Sequence, residues 1–454
     1  MKKNKPWLYI PIETKVRELY GKTLLASFSA VKGFNVVIGS KKDISSRSAF
    51  FPKGTIFNVG LTKGLAKNSR RFKYEGYKVA VIDEEGLVTL NDDLYLRHRV
   101  TREALNVTDM FFCWGKKQAS IVEREAKKTN CKIFIAGNPR FDMLKPEYKT
   151  IFNKDAEEIK KKYEKFILVN TNFGHGNHFA GDDFLLDSFK EKGWMSDPND
   201  KTFFLQNIEW QKKMFREFQK MIPELSKNFK DHKIIVRPHP SENHDFWKKI
   251  AKDYPNVIVV HSGNVIPWLM ATDVLVHNGC TTAVEAFVLG TKAVAYRPFI
   301  ANEQETELPN KISTEVYDMK ELINTVNKII NNHAFDNDGS KKAYLNLYLA
   351  GINGETASEN IASNLFANVD VSLRNKKMNY FLLFYFEMLA CIKKIIQKIL
   401  FSNDVSRSYQ SHKIANLSKN EIDEIIADFS RIDKRFENLE VKKIRGTCFH
   451  IYEK

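Results

Sequence analysis

The segment DVLVHNGCTTAVEAFVLGTKAVAYR, residues 273–297, decides the fold of this chain. The apolar runs 273–277 and 293–297 have the length of buried strands, and the stretch between them, 281–289, has the length of a short helix. A strand, a helix and a second strand in close succession form a unit whose two strands run parallel. The segment therefore predicts a parallel sheet that is covered by helices.

The same alternation of short apolar runs with amphipathic stretches extends through most of the chain. It starts at the N-terminus, gives way near 154–165 to a charged helix that leads into a second domain, and then resumes. The fold class predicted is therefore α/β, with two Rossmann-like domains that face a central cleft, as in GT-B enzymes. The strands expected outside the opening segment are Trp7–Ile12, Asn35–Gly39, Lys78–Ile82, Met110–Trp114, Lys132–Ala136, Phe166–Asn170, Lys233–Arg237 and Val257–His261.

This pattern predicts three regions. Residues 1–150 form the first Rossmann-like domain, expected to bind the acceptor, and residues 151–370 form the second, expected to bind a nucleotide sugar. Residues 371–454 are predicted to be a helical appendage. Its apolar stretch, residues 380–400, is too short and too often interrupted to cross a bilayer, so it either lies on a membrane surface or packs as a core helix.

Composition narrows the class of protein. The 454 residues include 43% hydrophobic side chains, which excludes fibrous and wholly disordered classes. The formal charge of +16 favours polyanionic partners, although a solvated lysine-rich surface explains it equally well. Five cysteines without a CxxC pair argue against a disulfide framework and a zinc site.

The start of the chain lacks the apolar run of a signal peptide, and the predicted location is the cytoplasm, with peripheral contact to the inner face of an anionic membrane.

The first candidate site is the turn Asp83-Glu84-Glu85-Gly86, which directly follows the strand Lys78–Ile82. Acids at the carboxyl end of a parallel strand point toward the crevice in which such sheets bind ligands, and the glycine allows a sharp turn. A general base fits this position. The alternative is that these acids only cap the next helix or face water.

The second candidate site is Arg237-Pro238-His239-Pro240, again at a strand end. The two prolines stiffen the backbone on either side of the imidazole, and the arginine makes the turn electropositive, which suits a phosphate. The alternative is a buried structural histidine.

The third candidate site is the turn that contains Asn278, Gly279, Thr281 and Thr282, at the start of the helix 281–289. Free N–H groups and the positive end of the helix dipole make such a start a phosphate site, and Glu285 lies one turn further along. The alternative is an ordinary capping box formed by Thr282 and Glu285.

Weaker candidates follow the first strand of each half. They are Glu13, Lys15 and Arg17 in the first half, and Asn170, Asn172 and His175 in the second half. The glycine-rich turn of the second half is neither a GxGxxG nor a Walker loop, and no metal-binding motif is evident. No metal and no cofactor is therefore predicted.

Three of these signatures, Glu84-Glu85-Gly86, His239-Pro240 and Thr281-Thr282, resemble those of bacterial sialyltransferases and polysialyltransferases of GT-B fold and, more distantly, of Kdo transferases. The chain also resembles surface carbohydrate biosynthesis proteins of nonulosonate gene clusters, through IPIETKVREL (residues 10–19), GNPRFDML (137–144) and HNGCTTAVEA (277–286). The resemblance implies that Glu85, or else Glu84, is the base, and that His239, Thr281 and Thr282 hold the phosphate of a CMP-activated donor.

The function expected from this resemblance is a glycosyltransferase that moves a sialic-acid-like or Kdo-like sugar from a CMP donor to a surface glycan, which can be carried on a lipid, without a metal. The alternatives are a sugar-nucleotide epimerase or a polyol-phosphate transferase of the same fold. A basic nucleic-acid-binding protein is disfavoured because the basic residues are not interleaved with aromatic ones in one segment.

Overall fold

The computed structural model describes residues 5–331, 338–370 and 417–454, together with the single positions 378, 381, 384, 385 and 388. It confirms the α/β class. The chain divides into two compact units, each built on its own sheet. The first comprises Met1–Gly86, Arg99–Met143 and Leu349–Lys454, and the second comprises Leu87–His98 and Leu144–Tyr348.

Strands and helices alternate along most of the chain. The strands are β1 (Trp7–Ile12), β2 (Asn35–Ser40), β3 (Thr55–Asn58), β4 (Lys78–Ile82), β5 (Met110–Cys113), β6 (Lys132–Ile135), β7 (Phe166–Asn170), β8 (Lys233–Arg237), β9 (Val257–Val259), β10 (Val274–His277), β11 (Ala293–Tyr296), β12 (Thr314–Val316), β13 (Leu439–Arg445) and β14 (Cys448–Glu453). The helices are α1 (Lys15–Val31), α2 (Lys41–Arg47), α3 (Lys63–Tyr74), α4 (Asp92–His98), α5 (Arg102–Asn106), α6 (Lys116–Ala126), α7 (Pro139–Asp142), α8 (Asn153–Tyr163), α9 (Gly181–Glu191), α10 (Pro198–Asn228), α11 (His244–Ala251), α12 (Ile266–Ala271), α13 (Thr281–Leu289), α14 (Glu307–Ile312), α15 (Met319–Ile330), α16 (Asp338–Tyr348), α17 (Ala357–Ala367) and α18 (Lys419–Ile432).

The sheet of the first unit has eight strands in the order β13-β14-β2-β1-β3-β4-β5-β6. The six strands from β2 to β6 are parallel, and their carboxyl ends meet at one edge. Every residue of β1 is buried, as expected for a strand with helices on both faces of its sheet. Strand β3 was not predicted, because four residues bounded by glycines are too few to show a period.

The sheet of the second unit has six parallel strands in the order β12-β11-β10-β7-β8-β9. Helices α10, α11 and α15 cover one face, where Phe218 and Trp247 are buried. Helices α8, α12 and α13 cover the other face, where Leu269 and Ala283 are buried. The region between β7 and the amphipathic part of α10 contains α9 and an aromatic cluster that includes Phe189 and Phe204.

The C-terminal part of the chain differs from the predicted helical appendage. Helix α18 is present as expected, but it is followed by the hairpin β13-β14, whose second strand pairs antiparallel with β2. Phe429 and Phe436 are buried, and the ring of Phe436 lies 4.9 Å from that of Phe28 on α1. These strands therefore extend the sheet of the first unit.

Helix α17 also belongs to the first unit, although residues up to 370 were assigned to the second domain. The carboxylate of Asp142 accepts hydrogen bonds of 2.8 Å from the main-chain N–H groups of Ala357 and Ser358 at the start of α17. The unit boundaries at Met143 and Leu349 thus differ from the predicted boundaries near 150 and 370.

The apolar stretch 380–400 lies outside the described residues except at four positions, and its membrane association stays a prediction. Those four side chains are exposed: Phe381, Phe384, Tyr385 and Met388. No helix among the residues that the structure describes is long and apolar enough to span a bilayer.

Candidate active site

The first unit carries a cluster of charged side chains at the carboxyl edge of its sheet. Glu18 and Lys22 lie one turn apart on α1, and Glu84 follows β4. The ammonium of Lys22 lies 2.6 Å from Glu18 Oε2 and 3.3 Å from Glu84 Oε1, and it donates a further bond of 2.8 Å to the carbonyl of Pro11. Glu18, Lys22 and Glu84 are all buried, at 2%, 2% and 7% exposure. A single cation is therefore shared by two carboxyl groups that water hardly reaches.

Glu18 is the better satisfied of the two acids. Its carboxylate also accepts hydrogen bonds from the N–H groups of Glu13 and Thr14, at 3.0 and 2.9 Å, at the start of α1. Burial alone would raise the pKa of Glu18, but Lys22 and Arg17 outweigh it and hold the pKa below its ordinary value. Glu18 is therefore the permanent anion of the cluster.

The two adjacent glutamates of the turn, Glu84 and Glu85, have opposite environments. Burial raises the pKa of Glu84; Lys22 opposes this shift, and the neighbouring Glu18 carboxylate adds to it. Burial would also raise the pKa of Glu85, but Arg17 and Arg99 outweigh it and lower the pKa. Arg17 Nη1 lies 2.5 Å from Glu85 Oε1, and half of the Glu85 side chain is exposed. The turn thus presents two adjacent carboxyl groups whose pKa values are displaced in opposite directions.

Asp83, the first acid of the turn, has a structural role. Its side chain is fully buried and receives two hydrogen bonds from the guanidinium of Arg99, at 2.6 and 3.0 Å. Its carbonyl accepts a 2.7 Å hydrogen bond from the indole of Trp114 on the neighbouring strand end. These bonds fix the backbone from which Glu84 and Glu85 project.

The turn at residues 137–140 completes the cluster. Asn138 Nδ2 donates a 3.2 Å hydrogen bond to Glu84 Oε2, and the charge of Arg140 contributes to lowering the pKa of Glu85. Gly21 on α1 makes this approach possible, because a Cβ there would lie 2.7 Å from the carbonyl of Pro139. A residue larger than glycine would push the turn away from α1.

Of the weaker candidates in the first unit, only Arg17 joins the cluster. The carboxylate of Glu13 pairs with Lys41 at 3.1 Å, and Lys15 pairs with Glu421 of α18 at 2.8 Å. Lys15 therefore holds the C-terminal helix against α1.

In the second unit, the start of α13 lies at the carboxyl end of β10. Its N-cap is Cys280, which makes no side-chain cap hydrogen bond, so the capping box expected from Thr282 and Glu285 does not form. Thr281 and Thr282 are the first two helical residues and are partly exposed, whereas Glu285 is buried. The binding of a phosphate at this helix start stays a prediction, which rests on its N–H groups and the helix dipole.

The turn before α13 depends on glycine. Gly279 has φ +86°, and a Cβ there would lie 2.8 Å from the hydroxyl oxygen of Thr306. That hydroxyl donates a 2.6 Å hydrogen bond to the carbonyl of Gly279. The main-chain N–H of Gly279 donates a hydrogen bond to Nδ1 of His277. Burial lowers the pKa of His277 to about 3. His277 is thus a neutral structural histidine.

His239 lies on an exposed turn after β8. Its Nδ1 accepts a 3.2 Å hydrogen bond from the N–H of Ser241 and lies 2.7 Å from the hydroxyl of that residue, which places the proton of the neutral ring on Nε2. Pro240 beside it is exposed. The turn therefore presents a hydrogen-bond donor, as a phosphate site requires.

The position of His239 depends on Glu242, which the sequence analysis did not single out. The buried carboxylate of Glu242 accepts hydrogen bonds from His239 N, Phe173 N, the hydroxyl of Thr171 and the indole of Trp247, at 2.7–3.1 Å. One acid thereby ties the turn after β7 to the turn after β8.

Arg237 has a different environment from the one expected. Both terminal nitrogens of its guanidinium donate to main-chain carbonyls, of Ser262 at 2.9 Å and of Gly263 at 3.1 Å, and the group lies over the ring of Trp268. Burial lowers its pKa to about 10, so it stays charged at neutral pH. In this structure Arg237 holds the loop after β9.

The remaining candidates lie at the ends of β7 and β10. Asn172 and Asn278 exchange two hydrogen bonds, at 2.9 and 3.3 Å, and so join their turns. Asn170 is buried, and its Oδ1 has no hydrogen-bond partner among the described residues. His175 Nδ1 lies 2.8 Å from Oδ1 of Asn207 on α10. Within the described ranges, no group of His, Cys, Asp and Glu side chains is arranged to hold a metal ion.

The sequence analysis missed Glu18, Lys22, Arg99, Asn138 and Arg140. A signal existed for the first two, since a Glu and a Lys four residues apart on α1 can form an ion pair. Asn138 and Arg140 lie in the quoted motif GNPRFDML, but only the three-dimensional arrangement brings them and Arg99 to Glu84 and Glu85.

Comparison with solved structures identifies proteins of similar fold. The chain aligns with the UDP-GlcNAc 2-epimerase from Methanocaldococcus jannaschii at 13% identity and a TM-score of 0.50, over 80% of this chain and 100% of that one. It aligns with a protein described as a UDP-N-acetylglucosamine 2-epimerase from Listeria monocytogenes at 14% identity and a TM-score of 0.50, over 80% and 96% of the two chains. No protein-family model matches the chain, and no curated protein is similar enough in sequence to count as a relative. These likenesses establish a GT-B-like fold.

The expectation of a CMP-sugar-dependent glycosyltransferase is wrong. The Methanocaldococcus jannaschii and Listeria monocytogenes proteins of similar fold are described as UDP-GlcNAc 2-epimerases, which are isomerases, and the resemblance to sialyltransferases and Kdo transferases has no support from them. The physical reason lies in the signatures, each of two or three residues at a strand end. Acids, histidines and small hydroxyl residues at these positions mark the ligand-binding edge of the architecture, whatever the reaction.

Proposed function

We propose that this protein is a sugar-nucleotide epimerase that inverts a ring carbon of a UDP-linked N-acetylhexosamine. The fold is that of UDP-GlcNAc 2-epimerases, which supports a substrate of this class. The opposed environments of Glu84 and Glu85 carry the proposal, because the reaction requires two such groups.

Inversion of a carbon that bears hydrogen removes a proton from one face and returns a proton to the other. One group must therefore start as a base and another as an acid, and their pKa values must be displaced in opposite directions. Glu85, ionised through Arg17 and Arg99, is suited to the base, and Glu84, whose pKa burial raises, is suited to the acid.

Loss of the C2 proton becomes feasible when the electron pair of the C2–H bond forms a C1=C2 double bond as the C1–O bond to the diphosphate breaks. The reverse addition protonates C2 on its other face and restores the C1–O bond. The reaction therefore also needs a group that holds the nucleotide diphosphate as it leaves and returns. Taken by itself, the second unit offers a phosphate-binding candidate in the start of α13, with Thr281 and Thr282, and in the turn that carries His239, since N–H donors and a helix dipole stabilise phosphate charge.

The test is to incubate the full chain with UDP-GlcNAc in deuterium oxide and to follow the sugar by proton NMR. We expect the C2 epimer to appear with deuterium at C2. Glu84→Gln and Glu85→Gln should each slow both changes, whereas Glu13→Gln, which alters a carboxylate paired with Lys41, should leave them unchanged. Binding of UDP without exchange or epimer formation would show that the fold serves another reaction.

A further inference from the structure

Helix α3 of the first unit carries an exposed basic stripe that the proposed reaction does not use. Lys63, Lys67, Arg70, Arg71 and Tyr74 lie at spacings of three or four residues, apart from the adjacent Arg70 and Arg71, and all are exposed. Tyr74 is the most open, at 93% exposure. The opposite face of the helix is buried through Ala66, Ser69 and Phe72. The stripe is thus a fixed outer face of a packed helix.

The charge of this stripe is not balanced locally. Helix α3 contains no acidic residue, and Lys63, Lys67 and Arg70 have no acidic partner in the described part of the chain. Arg71 alone among the four cations has one, with Glu75 at 3.6 Å. By contrast, Lys73, beside the stripe, is paired with Asp109 at 2.7 Å.

The position of Lys63 adds to the imbalance. It is the first helical residue, where the positive end of the helix dipole disfavours a cation, and the first turn contains no acid that would offset it. The cations of the stripe would therefore attract an external anion at every point along the helix.

We propose that the stripe on α3 docks the protein on an anionic phospholipid surface. A helix of 12 residues extends about 18 Å, so its four cations lie in a row that a sheet of lipid headgroups can contact together. Tyrosine is a side chain favoured at the membrane–water interface, and Tyr74 ends the row. Since the apolar face of α3 is buried in the unit, the contact is electrostatic and reversible, without insertion of the helix.

The experiment is sedimentation of the full chain with vesicles of phosphatidylcholine, with and without phosphatidylglycerol. The wild type should bind only the anionic vesicles, and binding should weaken between about 0.1 M and about 1 M salt, as the Debye length falls from about 10 to about 3 Å. Lys67→Glu with Arg70→Glu should weaken binding by at least roughly fivefold for each charge removed.

The matched control makes the same charge change at the two ends of α6, with Lys116→Glu on its first residue and Lys127→Glu directly after its last, both exposed residues of the same unit. It should bind nearly as the wild type does, which separates a local surface from net charge. The proposal would be overturned if the stripe variant bound anionic vesicles as well as the wild type does. It would also be overturned if the α6 control lost as much binding as the stripe variant. Binding of duplex DNA at physiological salt that the stripe variant loses, without any vesicle binding, would instead indicate a nucleic-acid partner.

Discussion

The ammonium of Lys22 lies 3.3 Å from the carboxyl group of Glu84, with their side chains only 3% and 7% exposed. The same ammonium lies closer to Glu18, which also receives two main-chain N–H groups. Lys22 is thus divided between two buried carboxyl groups, and burial together with the Glu18 charge raises the pKa of Glu84. A raised pKa is the property that the acid of the proposed epimerisation requires.

A plot of the epimerisation rate against pH should be bell-shaped. Glu85 must be ionised, and because its pKa is lowered it sets the acidic limb below the ordinary range of a glutamate. Glu84 must be protonated, and because its pKa is raised the rate should fall on the alkaline side as pH rises through it. In Glu84→Gln we expect a rate lower by about 10²–10⁴-fold and the loss of the alkaline limb. The measurement is the NMR rate over a pH series, and an alkaline limb that persists in Glu84→Gln would assign it to another group.

Lys22→Met should destabilise the first unit. Removal of the cation takes from the buried Glu18 carboxylate its nearest counter-charge and leaves only the 3.7 Å contact with Arg17, and the loss of a buried ionic partner costs about 3–5 kcal/mol. The pKa of Glu18 is lowered by folding, so its contribution to stability is present above the ordinary pKa of a glutamate and is lost as pH falls. The deficit of Lys22→Met should therefore shrink in acid. Urea unfolding at several pH values measures it.

The control for this prediction is the double variant Lys22→Met, Glu18→Gln, which removes one anion together with the cation. It should recover part of the lost free energy of unfolding, because only Glu84 then remains and it can be protonated. A double variant less stable than Lys22→Met would show that packing of the lysine stem, and not charge, governs this position.

The sequence predicted the strands well where burial on both faces leaves an uninterrupted apolar run, as in Trp7–Ile12 and Phe166–Asn170. It did not predict the return of the chain to the first unit, because the pairing of Phe449 with Ile38 joins residues far apart in sequence. For the site, it located the acids after β4 and Arg17, but not the other residues that set the protonation of these acids. The distance from Lys22 to Glu84 depends on how α1 packs beside the end of β4, and no local pattern encodes that.

Glu242→Gln should weaken nucleotide binding in the second unit. The carboxylate of Glu242 accepts four hydrogen bonds. The glutamine side chain has only one oxygen acceptor, and its NH₂ group would point at groups that are themselves donors. We expect a loss of about 1–3 kcal/mol in stability and a lower affinity for UDP, because the turn that carries His239 is released. Calorimetric titration with UDP measures the affinity. Unchanged affinity in a destabilised variant would separate the turn from nucleotide binding.

Alanine variants of two glycines separate the effect of a steric contact before α13 from the effect of backbone strain. Gly279 and Gly290 both have φ +86°, but a Cβ at Gly279 would lie 2.8 Å from Thr306, whereas a Cβ at Gly290 would meet nothing within 4 Å. Gly290→Ala should cost only the strain of a left-handed alanine, about 1–2 kcal/mol. Gly279→Ala should cost more, because the new methyl group would displace Thr306 from the hydrogen bond it donates to the Gly279 carbonyl.

The two variants should differ most in their affinity for UDP, since only Gly279 lies before the proposed phosphate site. Equal losses in stability and in UDP affinity would show that backbone strain alone accounts for both, and that the turn before α13 takes no part in binding the nucleotide.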